Sequence, residues 1–143
     1  MKKIVLALGL LATAVFANAA DPLNGTVWKT IDDKTNQPKA LVKFTEQKNG
    51  TLSATIQSIL TPGEEGSCDK CEGPYHNKPL KGVTIVQGLK NTGGKSYDGG
   101  TILDPKNGKT YKLKGELSGN KLTMRGYIGV SVLGRNQTWI RAN

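Results

Sequence analysis

Histidine occurs once in this chain and cysteine twice, and aromatic residues make up only 6 % of it. Nucleophilic catalysis by serine needs a base at hand, and the single histidine, His76, lies in the same irregular stretch as both cysteines. No hydrolase constellation can be assembled from such a set. Zinc prefers four ligands, so Cys68, Cys71 and His76 fall short unless Glu64, Glu65, Asp69 or Glu72 completes the site. Acidic residues are scarce as well, 11 against 20 Lys and Arg, and the β-prone segments carry no paired carboxylates for acid–base work. Neither an enzymatic activity nor a cofactor is expected. Convincing helical periodicity is missing, and no apolar run downstream of the first twenty residues is long enough to span a bilayer.

Lys2 and Lys3 supply a positive start to an apolar stretch, Ile4 to Phe16, which ends in the small residues Ala17-Asn18-Ala19-Ala20. This is the pattern of a secretory signal, and it is short for a membrane helix of roughly 20 apolar residues. Residues 1–19 are therefore read as a signal peptide cut after Ala19, and residues 20–143 as one exported domain, periplasmic or secreted. No cysteine follows the apolar run, which leaves nothing at the cut to carry a lipid anchor. Removing Lys2 and Lys3 lowers the formal charge from +9 to +7. A basic balance favours anionic partners; for an exported protein an anionic envelope surface is the natural one, and nucleic acid is not expected. The lysines are scattered along the chain, as on solvated strand faces.

Short β-prone runs alternate with Gly, Asn, Asp and Pro clusters through the rest of the sequence. The expected strands are 26–31, 40–46, 51–60, 83–90, 101–103, 109–117, 121–129 and 136–142, with 91–100 read as a glycine-rich turn region. Ala40, Val42 and Phe44 alternate with Leu41, Lys43 and Thr45, and Leu52, Ala54 and Ile56 with Ser53, Thr55 and Gln57. Each of these runs thus has one apolar face for a shared core, and Lys48-Asn49-Gly50 joins them as a hairpin. About eight strands on short turns predict an all-β antiparallel meander closed as an up-and-down barrel, with a sandwich as the alternative. Eight strands enclose only packed side chains or one small ligand.

Three readings of Cys68-Asp69-Lys70-Cys71 stay open: a structural disulfide, a redox pair, and part of a metal site. Export to an oxidising compartment makes the bridge the first expectation. The pair lies in a loop between Gly66 and Gly73 rather than at a helix start, which is where a redox thiolate gains its low pKa. Asp104, followed by Pro105, Asn107 and Gly108, reads as a turn-capping side chain. At the C-terminus, period two puts Arg125 and Tyr127 on one face of their strand and Gln137, Trp139 and Arg141 on one face of the next. In the simplest register the two sets are neighbours. They then form either a surface for an acidic ligand head or a seal over the barrel end, with Leu122, Met124, Ile128, Thr138 and Ile140 opposite. Arg135 joins Arg125 and Arg141 as a candidate for meeting the head.

The stretches GGTILDPKNGKTY (99–111), LTMRGYIG (122–129) and GRNQTWIR (134–141), with CDKC and the opening GTVWKTIDD, resemble the bacterial family catalogued as domain of unknown function 2147. Members of that family look like small lipocalin-type barrels. The resemblance implies a small hydrophobic or amphipathic ligand held inside the barrel. It also implies that Trp28, the tryptophan following Gly25, packs against an arginine of the last strand, for which Arg141 is the choice. Here two residues rather than one separate that glycine from the tryptophan.

Overall fold

The computed structural model describes residues 19–143. The expected signal segment thus lies outside the described residues except for its last position. Eight strands follow one another: β1 (Val27–Ile31), β2 (Pro38–Glu46), β3 (Leu52–Ile59), β4 (Thr84–Gly93), β5 (Ser96–Asp104), β6 (Lys109–Ser118), β7 (Lys121–Tyr127) and β8 (Arg135–Arg141). Each pairs antiparallel with the next, and β1 closes on β8, so no strand is left with an open edge. Two single 3-10 turns, Gly73–Tyr75 and Ser131–Leu133, are the only helical elements among the described residues. None of the described helices is long and apolar enough to cross a membrane.

Alternation along the strands fills the interior. Trp28, Val42, Phe44, Ala54, Leu122 and Trp139 are wholly buried, and the Phe44 and Trp139 rings meet tilted, 5.9 Å between centroids. Prolines stay out of strand interiors; Pro38 begins β2, where no ladder donor is needed.

The sequence reading fails at 91–100. Most of that stretch is strand, and the turn is confined to Gly94 and Lys95. Glycines here serve bulges as well as the turn. One extra residue enters β5 between Tyr97 and Gly100, where Gly99 takes a φ of 73°, and another enters β4 between Val86 and Leu89, where Gly88 takes 69°. The residues on both sides of each bulge then face inward: Val86 and Leu89 are buried at one, and Tyr97 beside the side-chain-free Gly100 at the other.

One end of the barrel is plugged by residues 21–26. Leu23 is buried, and the Asp21 carboxylate accepts the Leu23 amide (2.8 Å), the Tyr97 hydroxyl (2.8 Å) and the Asn91 amide group (3.2 Å). Burial first, and the bond to Asp21 second, push the Tyr97 phenol well above its ordinary pKa of 10.0. The strands and the core all lie between Leu23 and Arg141.

Candidate functional site

Opposite the plug lies a cavity of about 480 Å³, to which the β3–β4 and β5–β6 connections contribute together with residues of the strands. Ala40, Ile56, Ile85, Ile102, Leu113 and Met124 line it, with Trp139 beside them. The size lies within the usual range for small-molecule pockets, roughly 300–1,000 Å³. Thr30, Tyr111 and Gln137 are polar groups within this largely apolar wall. The Gln137 Oε1 accepts the Trp139 indole N–H at 3.5 Å, a long bond that leaves the amide free to turn toward a guest.

Charge is confined to the rim, where Lys39, Lys106 and Arg135 face Glu64 and Asp104. Arg135 donates through Nε and Nη2 to Asp33, and that bond raises the guanidinium pKa further. Lys106 lies 3.9 Å from Glu64, both side chains about half exposed, a pairing of little net strength. Among the described residues Lys39 makes no ion pair. The β1–β2 turn below it is held by Asp32, whose carboxylate accepts the amides of Lys34 (2.8 Å) and Thr35 (3.1 Å). Those two donors keep Asp32 below the ordinary carboxylate value of 3.8.

The long β3–β4 connection folds over the mouth as a lid, contributing Glu64, Ser67 and Leu80 to the lining. It is a short ladder of its own: Leu80 donates to Gly66 O (2.8 Å) and Cys68 to Lys78 O (2.7 Å), with Ser67 bridged to Pro79. Cys68 and Cys71 form a disulfide, and both are buried. Burial of the sulfurs favours a structural bridge over thiol exchange, which needs access. His76 turns its Nδ1 to the Cys71 carbonyl (3.0 Å) rather than to the sulfurs. Among the described residues no group of three His, Cys, Asp or Glu converges as a metal site. The lid rests on the β5–β6 turn so tightly that a Cβ on Gly108 would lie 1.8 Å from the Lys70 carbonyl oxygen. Asp104 caps that turn as expected, accepting the Lys106 amide at 2.9 Å.

Of the residues singled out from sequence, Arg135, Gln137 and Trp139 line the cavity, whereas Trp28, Arg125, Tyr127 and Arg141 do not. The expected neighbourhood of Arg125 and Tyr127 with Gln137, Trp139 and Arg141 is not formed. Register pairs Leu122 with Trp139 and Met124 with Gln137, leaving Arg125 outside opposite Asn136. The seven residues between β7 and β8 set that register, and strand alternation alone does not reveal it. Arg125 instead ties down the β7–β8 connection, donating to Ser131 O (2.5 Å), Val132 O (3.2 Å) and Asn136 Oδ1 (2.8 Å). Register sets Trp28 opposite Arg141, the pair the family resemblance singled out, at the plugged end of the barrel. The indole donates to Thr26 Oγ1 (2.7 Å) and the exposed guanidinium to the Asn143 carbonyl (2.8 Å). Sequence reasoning missed Lys39, Lys106 and Tyr111 as lining residues; alternation marks the strands of Lys39 and Tyr111, and Lys106 sits in the β5–β6 turn, but only closure says which end opens.

The comparisons agree with this geometry. No curated protein matches the sequence. Among solved structures, protein HP1028 from the human pathogen Helicobacter pylori, described as belonging to the lipocalin family, superposes with a TM-score of 0.73 at 26 % identity. The match covers 85 % of this chain and 83 % of that one. The fold is thus a lipocalin-like eight-stranded barrel, an architecture suited to holding a small molecule. The sequence model of the uncharacterized proteins conserved in bacteria, domain of unknown function 2147, matches residues 26–141, and the chain belongs to that family.

Proposed function

We propose that this protein binds one small amphipathic molecule in the barrel, its apolar part against Ile56, Ile85, Ile102 and Met124 and its acidic head at the rim. The observation that carries the reading is a single-ended cavity whose wall is apolar and whose cations, Lys39, Lys106 and Arg135, all stand at the mouth. Such a site gains from burying an apolar chain and leaves the charged head in reach of solvent and ammonium groups. The likeness to a protein described as a lipocalin supports the same reading. We place this activity outside the cytoplasm, as an exported carrier or sensor released by a cut after Ala19.

Native mass spectrometry of gently purified protein, followed by displacement of a fluorescent fatty acid, tests the proposal. A bound mass and saturable displacement are expected. Gly126→Leu is the matched control: a Cβ there meets Ile102 and Tyr111 at 3.6 and 3.7 Å, ordinary contacts, and a longer chain fills the cavity. That variant keeps its fold and loses affinity by about tenfold or more, equivalent to about 1.4 kcal/mol. Equal affinity in the filled variant, or no ligand across a panel of fatty acids and lipids, ends the cavity reading. N-terminal sequencing of the mature protein from fractionated cells tests the cut and the location.

A further inference from the structure

We infer that the β7–β8 connection is a docking tip for an anionic lipid bilayer, an inference that does not depend on what the cavity holds. Ile128, Val130, Val132 and Leu133 are between 58 and 79 % exposed, and the other exposed large apolar side chain among the described residues, Leu60, is at 37 %. Four such side chains within six positions form a patch, which on a soluble surface marks an interaction site. The exposure belongs to a fixed loop. Arg125 draws the Ser131 and Val132 carbonyls back toward the barrel wall. Gly134 seats the loop's foot so closely that an added Cβ would lie 2.6 Å from Gly126 O. With those two carbonyls held inward, this part of the tip presents side chains rather than backbone, as insertion into a membrane interface requires.

Charge selects the occupant. The loop from Ile128 to Gly134 carries no ionisable side chain. On the outer faces of β6 and β7 next to it stand Lys112, Lys114 and Arg125, with Glu116 and Lys121 farther off toward the β6–β7 turn. Lys112 is level with Tyr127, which leads into the loop. An apolar tip with a tyrosine and lysines behind it matches the layering of an anionic bilayer, apolar chains inside and phosphates at the surface. A two-fold pairing of two copies through this tip would bring two basic walls together, which disfavours a second copy as the occupant.

Sedimentation of the purified protein with vesicles of phosphatidylethanolamine and phosphatidylglycerol, compared with phosphatidylcholine alone, tests the inference. Binding to the anionic vesicles that weakens as salt rises is expected. V132S/L133S should lower partitioning by about tenfold or more, and K112E/K114E by at least about fivefold, both with a wild-type circular dichroism spectrum. A wild-type protein that ignores anionic vesicles, or serine variants that bind as well as it does, overturns the proposal. A concentration-dependent dimer abolished by V132S/L133S, without vesicle binding, overturns it in favour of self-association.

Discussion

Asp21 stands at the start of the plug and touches three places at once: its own turn, β4 through Asn91, and β5 through Tyr97. Nothing in the local sequence marks it, because its partners lie 70 and 76 residues away. Asp21→Ala removes the acceptor of a buried phenol, and urea unfolding should show a loss of roughly 1–3 kcal/mol. The same variant should lower the Tyr97 pKa while leaving it above 10.0, since burial, the larger cause, persists. Ultraviolet titration of the tyrosines reads that shift; an unchanged Tyr97 would mean the bond contributes nothing. Arg125 teaches a related lesson at this scale. Its sequence neighbours mark it as a candidate for an anion, but its donors are already committed to loop carbonyls and Asn136.

Among the elements, the lid is the one whose order rests on few contacts. Its own core is the Cys68–Cys71 bridge and a few ladder bonds, and its seat is the β5–β6 turn. So short a disulfide loop contributes little chain entropy, and its effect is to hold the lid's shape. In C68S/C71S, amide exchange should therefore accelerate across residues 61–80 and stay unchanged in β1–β3 and β6–β8. Gly108→Ala should produce the same local pattern with the disulfide intact. At that position φ is +72° and the Lys70 carbonyl blocks any side chain. Global loss of protection in either variant would show that the lid is part of the cooperative core instead. The lid was legible only as an irregular stretch with two cysteines; which turn it covers depends on contacts distant in sequence. The β4–β5 hairpin was misread for another reason. Glycine signals turns and bulges alike, and only pairing partners separate the two.

For the molecule as a whole, closure couples the titration of one interior group to stability. The folded Tyr97 pKa is raised above its unfolded value, so the protonated form is favoured by folding. That contribution is fully present below pH 10 and is lost as pH rises toward the folded pKa. Urea midpoints measured above pH 10 should fall, and Tyr97→Phe should flatten the alkaline limb. An alkaline limb unchanged in Tyr97→Phe would assign the effect to the lysines.

The sequence alone determined the all-β class, the number of strands and most of the core, because a period of two is a local property of the chain and needs no partner to be read. It also carried the family's motifs from Gly25 to Arg141. Tertiary structure decided which end of the barrel opens, which side of β7 faces the ligand space, and which cations stand at the mouth. These depend on register across loops and on the closing of β1 against β8, and a one-residue change of register sends every side chain of a strand to the other face.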